Sequence, residues 1–355
     1  MASAGGDALD RVIALEFDRG TEKGKVTKIK ERLKGGRYLV KEVFAYGGMG
    51  IILRAQDSRV FHNEVLIKAV KYQASEFAFD RQKALFNIYQ LRQMFKRERR
   101  ILCELRGRGI NPVPHVNDFF CDHNPDLATT TFKFGRLAEE EDHTLLDLRM
   151  NVYQEPYMVM ERIYGRSLAD RLAELPPRAV VTIARDVLVT LSKMHEPRAR
   201  EDGTRLSLIY LDLKPENIIV NDNLGMTLID FGGCMPVVDG KKRKEQKGAL
   251  THGYAAPELE FMFSSKDRVD GRADVYSAGA LLFRAFTGKD PARMADPLIN
   301  PFPLLSPAEL PPKLHRPLRE AIARALDRDV DRRFSSAGEL ADALTAILES
   351  KAALA

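Results

Sequence analysis

The stretch Leu208-Ile209-Tyr210-Leu211-Asp212-Leu213-Lys214-Pro215-Glu216-Asn217 puts a carboxylate, an ammonium two positions on and a carboxamide five positions on, behind a short apolar run. These residue types at this spacing suit transfer of a phosphoryl group, a reaction that asks for positioning and charge neutralisation more than for covalent help. Asp212 would accept or orient the proton of an attacking hydroxyl, Lys214 would neutralise the moving phosphate, and Asn217 would hold a metal ion.

Such a loop needs a scaffold, and the chain upstream offers one. Residues 1–36 begin with small residues and turn lysine-rich, which reads as a flexible start with a short ordered arm. From Tyr38-Leu39-Val40 the pattern becomes β, with a glycine-rich turn, Ala45-Tyr46-Gly47-Gly48-Met49-Gly50, between two apolar strands. Glycine lets such a turn bring its amides close to phosphates. Glu64 to Val70 is a strand with one lysine, Lys68, among apolar residues, and a buried ammonium calls for an anionic partner. The helical pattern Leu85 to Leu105 sets Glu98 within an apolar stripe, which makes it the first candidate partner, with Glu104 the alternative.

Two more strands are expected at Val116–Cys121 and Tyr157–Glu161, with the residues between them, 122–156, forming an insertion that carries the acidic run Glu139-Glu140-Glu141-Asp142. The second half is mainly helical. Ser167 is placed to cap a helix over Leu168–Leu175, Pro176-Pro177 open another that runs to His195, and Ser336 to Glu339 read as a capping box before a last helix ending near Leu348. Short strands are expected at Ile218–Val220 and Met226–Ile229, the latter running into Asp230-Phe231-Gly232.

Composition narrows the class. The chain has 355 residues, 45% hydrophobic and 30% charged, with a formal net charge of +5, which suits a globular protein of one or two domains. No run is long and apolar enough for a membrane span, and the first twenty residues lack the core of a signal peptide, so the expected location is cytoplasmic, with no membrane partner. Basic and acidic residues interleave, so no nucleic-acid partner is expected. Three cysteines, Cys103, Cys121 and Cys234, have neither disulfide nor zinc spacing and are expected as buried or half-buried thiols.

Taken together, these motifs resemble those of the eukaryotic-like (Hanks-type) serine/threonine protein kinases of bacteria, over about Tyr38 to Leu348. The resemblance implies an α+β, two-lobed fold. A small antiparallel β lobe with one helix, about 37–160, would follow an N-terminal extension over 1–36. A larger, mainly helical lobe, about 164–349, would complete a kinase domain of 37–349, with ATP and Mg2+ held in the cleft between the lobes. By the same resemblance Gly47 and Gly50 belong to a phosphate-covering loop, with Gly48, Ile52 and Ile219 also lining the nucleotide. Lys68 contacts the α- and β-phosphates and pairs with Glu98. Met160 is the gatekeeper, the backbones of Glu161 and Ile163 meet adenine, and Asp212 and Lys214 are catalytic. Asn217 and Asp230 are the magnesium ligands. Ala256-Pro257-Glu258 closes the activation segment, Asp274 opens a buried helix, and Arg333 is placed to pair with Glu258. The serine/threonine class is implied by Asp-Leu-Lys-Pro-Glu-Asn, and protein hydroxyls are the implied substrates.

The chain departs from that pattern in four places. Leu211 stands where an arginine would read a phosphate on the activation loop, and Phe231 to Leu250 contains no Ser, Thr or Tyr. Both point to an enzyme not switched on by phosphorylation of that loop. Ala45 replaces the first loop glycine, Leu66 replaces a small residue against adenine, which narrows that pocket, and Tyr210 replaces a histidine. The basic run Lys241-Lys242-Arg243-Lys244 reads first as a solvated charge cluster. Residues 241–247 and the insertion 122–156 are also the two places where a partner could dock. The alternatives to an active kinase are a pseudokinase scaffold and a small-molecule phosphotransferase. The second of these leaves Ala256-Pro257-Glu258, Asp274 and Arg333 without a purpose.

Overall fold

The computed structural model describes residues 11–17, 23–46, 50–60, 63–70, 81–123, 125, 154–239, 241–242, 251–261, 269–296 and 298–350. Contacts divide the chain into two units, the first of 1–103 and 115–162, the second of 104–114 and 163–355. Gly47, Gly48, most of the acidic insertion and the basic run from Arg243 onward lie outside the described residues.

The first unit begins with a hairpin, β1 (Val12–Glu16) and β2 (Val26–Lys30). A six-stranded antiparallel sheet follows, built from β3 (Arg32–Leu33), β4 (Tyr38–Tyr46), β5 (Gly50–Asp57), β6 (Asn63–Val70), β7 (Val116–His123) and β8 (Gln154–Glu161). Their order is β3-β4-β5-β6-β8-β7, and helix α1 (Arg81–Gly107) lies between β6 and β7 in sequence. Much of the lysine-rich N-terminal arm is thus ordered β structure. Phe17, Ile29 and Leu33 join Tyr38, Leu53, Ile67 and Phe120 in one core, Phe17 meets Tyr46 edge-on at 5.0 Å, and Thr27 is hydrogen-bonded to the Tyr46 hydroxyl.

Two expectations need correction. The segment 122–156 is shorter as an insertion, because Asp122 and His123 extend β7 and Gln154 to Pro156 extend β8. Pro156 obscured this, yet it lies one residue beyond Tyr157, where the described pairing of β8 with β6 stops, so its missing N–H breaks no bond to that strand. Cys103 and Cys121 are exposed and only Cys234 is buried.

Side chains from the connection between β3 and β4, from the start of β4 and from the end of β2 reach the outer strand β7. Asp118 of β7 accepts from Lys34 Nζ at 2.6 Å, Arg37 Nη1 at 3.0 Å and the Tyr38 hydroxyl at 2.7 Å. Arg37 also grips Asp57, with Nη2 2.7 Å from Oδ2, and Asp122 pairs with Lys30 at 3.1 Å. Hydrogen bonding to the Arg37 guanidinium holds the Asp57 carboxyl below the ordinary carboxylate range. Burial pushes the Asp118 carboxyl up, but hydrogen bonds from Lys34 and Tyr38 outweigh it and leave it low. With folded pKa values depressed, the contribution of both groups is complete above the ordinary carboxylate pKa and is lost as the pH falls through the folded values. Asp118→Ala is therefore expected to lower the urea midpoint of unfolding by the equivalent of ~2 kcal/mol at neutral pH, about what a hydrogen bond to a charged group contributes. The gap to wild type should narrow on acidification; a gap that stays constant with pH would contradict this account of the network.

The second unit contains short strands and most of the helices. α2 (Leu168–Arg171) is capped by Ser167, whose Oγ accepts from Asp170 N. It stops short of the expected Leu175, the backbone turning over Leu172 to Leu175 ahead of Pro176-Pro177. α3 (Pro177–His195) buries Val180, Ile183, Ala184, Val187, Leu191 and Met194 along one side. Two small sheets frame the loops between the helices: β9 (Arg166–Ser167), β12 (Ile218–Val220) and β13 (Met226–Leu228) form one, and β10 (Arg198–Ala199), β11 (Arg205–Ile209), β14 (Met235–Val238) and β15 (Lys241–Lys242) the other. α4 (Arg272–Thr287) is buried all round from Ala273 to Phe283, as expected of a helix at the centre of a core. α5 (Pro291–Met294), α6 (Arg316–Ala325) and α7 (Ala337–Glu349) follow. Ser336 caps α7 through Glu339 N, but the Glu339 carboxylate reaches back to Ser335 N at 2.6 Å, one residue earlier than a capping box requires. No helix among the described residues is long and apolar enough to cross a membrane.

Candidate active site

In the first unit, Lys68 lies in the buried part of β6, 7% exposed, and meets Glu98 of α1, 4% exposed. The ammonium is 2.7 Å from Oε1 and 2.8 Å from Oε2. Taking both ions out of water costs several kcal/mol each, which only close geometry offsets, and both carboxylate oxygens are engaged here. The strand beside them must be thin. A Cβ added to Gly50 would lie 2.8 Å from the Ala69 carbonyl and 3.2 Å from Lys68 Cε, so glycine at this position allows the lysine its path. Ile52 stands opposite Lys68 across the ladder, and Leu66 opposite Met160, both of the latter buried. Glu161 follows on β8 with its N–H donated to the His115 carbonyl at 3.1 Å.

In the second unit, β11 leads into the stretch Tyr210 to Asn217, and Asp274, wholly buried at the start of α4, holds its backbone. Asp274 accepts from Leu211 N at 2.7 Å, Tyr210 N at 2.8 Å and His195 Nε2 at 2.8 Å. Leu211 adopts φ +64°, a left-handed conformation that an apolar L-residue rarely takes, and the paired amides over-determine it. This turn presents Asp212, whose side chain gathers three others. Lys214 Nζ lies 3.1 Å from Oδ2, Asn217 Nδ2 donates to the same oxygen at 2.7 Å, and the Thr251 hydroxyl donates to Oδ1. Lys214 also donates to Thr251 Oγ1 at 2.7 Å. Burial pushes the Asp212 carboxyl above its ordinary range, and the Lys214 charge and the Thr251 hydrogen bond oppose this without cancelling it.

Thr251 owes its place to Gly253, which has φ +86° and whose added Cβ would lie 2.1 Å from the Pro291 carbonyl; only glycine fits there. Downstream, the Arg333 fork meets both oxygens of Glu258 at 2.7 Å each and also binds the carbonyls of Asp327 and Arg272. This is the bidentate geometry that a lysine could not reproduce. Asp230 has φ +60°, and its Oδ1 accepts from Gly232 N at 3.4 Å. Ile163 and Ile219 are half-buried, Ile219 in β12 opposite Thr227 and Ser167.

The oxygens available suit a hard divalent cation. Asn217 commits its Nδ2 to Asp212, so its Oδ1 and the Asp230 carboxylate are the groups that would hold such a cation. A small set of protein oxygens completed by phosphate and water is the usual magnesium arrangement. Sequence reasoning named Lys214 and Asn217 beside Asp212 and the pair at Lys68. It missed His195, which carries no local sign of its bond to a residue 79 positions away.

The fold is that of a protein kinase, a β-rich first unit and a helical second one. A model of the protein kinase domain matches residues 144–344, more than half of the chain, and the chain belongs to that family. Among solved structures, the kinase domain of PknI from Mycobacterium tuberculosis, as a double mutant, is similar with a TM-score of 0.53 and 22% identity, over 88% of this chain and 96% of that one. Among curated proteins, serine/threonine-protein kinase PknL of Mycobacterium tuberculosis is 28% identical over 76% of this chain and 54% of its own length. Serine/threonine-protein kinase PknB of Mycolicibacterium smegmatis is 25% identical over 89% of this chain and 44% of its own. The chain spans about half the length of the curated relatives it matches.

Proposed function

We propose that this chain is an ATP- and Mg2+-dependent serine/threonine protein kinase, transferring the γ-phosphate to protein hydroxyls. The observation that carries the reading is the assembly at Asp212, a buried carboxylate raised in basicity and held by Lys214, Asn217 and Thr251 on a turn fixed by Asp274. A carboxylate of raised pKa is the better proton acceptor for a substrate hydroxyl. Lys214 would steady the transferred group, Asn217 and Asp230 would hold Mg2+, and Lys68, kept in place by Glu98, would meet the α- and β-phosphates. Bound magnesium would supply neutralisation of developing phosphate charge. Gly47, Gly48, Gly50 and Ile52 would border the nucleotide, with Met160, Glu161, Ile163 and Ile219 around the base. The test is transfer from ATP to a generic protein substrate with identification of the modified residue. Phosphoserine or phosphothreonine supports the reading, and modification confined to small molecules would sink it. The scaffold alternative gains no support from relatives that are named as kinases.

Control by activation-loop phosphate is not part of the reading. Leu211 is 2% exposed and offers no charge to a phosphate, and Met235–Val238, just after Asp-Phe-Gly, is already paired to β11 at Ile209↔Met235 through Leu206↔Val238. Phosphatase treatment is expected to leave kcat unchanged. A kcat that collapses on treatment and returns with a mapped phosphate in the loop would refute this. The basic run within 241–247 reads first as a solvated charge cluster, and it and the insertion 122–156 are the two stretches of sequence we propose for docking of a protein partner.

A further inference from the structure

Helix α1 makes a second buried ion pair with the sheet. Arg92 is 7% and Glu155 1% exposed, and Arg92 Nη2 lies 3.3 Å from Glu155 Oε2. Arg92 precedes Glu98 by six residues, about 9 Å along the axis and about 120° around it. Phe95, between them in sequence, is 4% exposed and faces Phe119 of β7, with ring centroids 6.1 Å apart. Glu155 stands near the start of β8, the strand whose Met158 lies opposite Lys68 of β6. One helix is thus tied to two adjacent strands at two levels.

A single ion pair fixes a point, and a helix held only by Lys68 and Glu98 is free to tilt and roll about it. Apolar burial around Phe95 resists separation but is non-directional. A buried pair adds little net stability, because desolvation consumes most of its attraction; what a planar guanidinium adds is direction. We propose that Arg92 and Glu155 are positioning residues that set the tilt and rotation of α1 at which Glu98 reaches Lys68. The proposal rests on the kinase reading for its kinetic consequence but not for its structural one.

The experiment compares wild type, Arg92→Met, Glu155→Gln, Arg92→Met/Glu155→Met and Arg92→Lys, each as the full chain. Hydrogen exchange of α1 amides without nucleotide is read beside urea unfolding and the kcat and KM for ATP, with Asp212→Ala as the blank. The expected result is faster exchange confined to α1, with β5 and β6 protected as in wild type, and kcat/KM about tenfold lower, as follows when the competent arrangement falls to about a tenth of the population. The apolar double variant should be as stable as wild type and yet impaired, and Arg92→Lys should recover part of the loss. Wild-type exchange and kinetics in the double variant would overturn the proposal. So would loss of protection spread evenly over the unit with kinetics that track the unfolded fraction. If wild type itself transfers no phosphate, the kinase reading fails, and the exchange arm still decides the role of the pair.

Discussion

Asp274→Ala is expected to destabilise the second unit by about 3–5 kcal/mol, the cost of breaking a buried charged network by removing one partner. Three donors converge on this wholly buried carboxylate, from Leu211, Tyr210 and His195, and the first two belong to buried residues with no water to turn to, while the His195 ring is half-buried. Each orphaned donor costs about 1–3 kcal/mol, against a total stability of about 5–15 kcal/mol for an ordinary domain. Asp274→Asn keeps the shape but presents an N–H₂ to donors, so it should lie between the alanine variant and wild type. The measurement is urea unfolding followed by circular dichroism. Kinetics of the asparagine variant add a second reading: with Leu211 no longer held at φ +64°, the aim of Asp212 loosens and kcat falls while ATP binding persists. An unfolding midpoint unchanged in Asp274→Ala would show that these bonds do not frame the loop.

Lys68→Met is expected to lower phosphate transfer by about 10²–10³-fold, the usual effect of deleting one preorganised electrostatic contact to the reacting group. Methionine preserves the length and apolar stem of the lysine, so packing against Gly50 and Ile52 survives. What goes is the charge 2.7 Å from Glu98. The carboxylate left behind is buried, so Lys68→Met should also be less stable than Lys68→Met/Glu98→Leu, which removes both ions. Transfer in Lys68→Met at the wild-type rate would contradict the role assigned to this residue. Equal stability of the single and double variants would contradict the cost assigned to the stranded carboxylate.

The parts of the molecule legible in the sequence are those whose signals are local. A lysine alone in an apolar strand and an acid inside an apolar helical stripe announce Lys68 and Glu98, because burial forces such charges to find each other. Asp212, Lys214 and Asn217 lie within six residues, so their spacing reports their convergence directly. The N-terminal hairpin was harder, because its inward positions alternate Thr27 with Ile29 between lysines, and Thr27 is buried through its bond to Tyr46. The outer strand β7 carries Asp118 and Asp122, which read as solvated until Lys30, Lys34 and Arg37 arrive from 81 to 92 positions away. Leu211 and Asp230 take left-handed backbone angles that no residue type betrays; bonds made by distant groups hold at least the first. Arg92 and Glu155, 63 positions apart, have no local pattern at all.

The measurement that bears most directly on the central claim is phosphate incorporation from magnesium-ATP, by intact mass and on a generic protein substrate, in wild type beside Asp212→Ala. Asp212 is engaged by Lys214, Asn217 and Thr251, and its alanine variant keeps the turn that Asp274 holds, so ATP should still raise the melting temperature of both proteins. The account predicts serine and threonine phosphorylation by wild type and none above background by the variant. Equal incorporation by both, or none by wild type while ATP still raises its melting temperature, would contradict it.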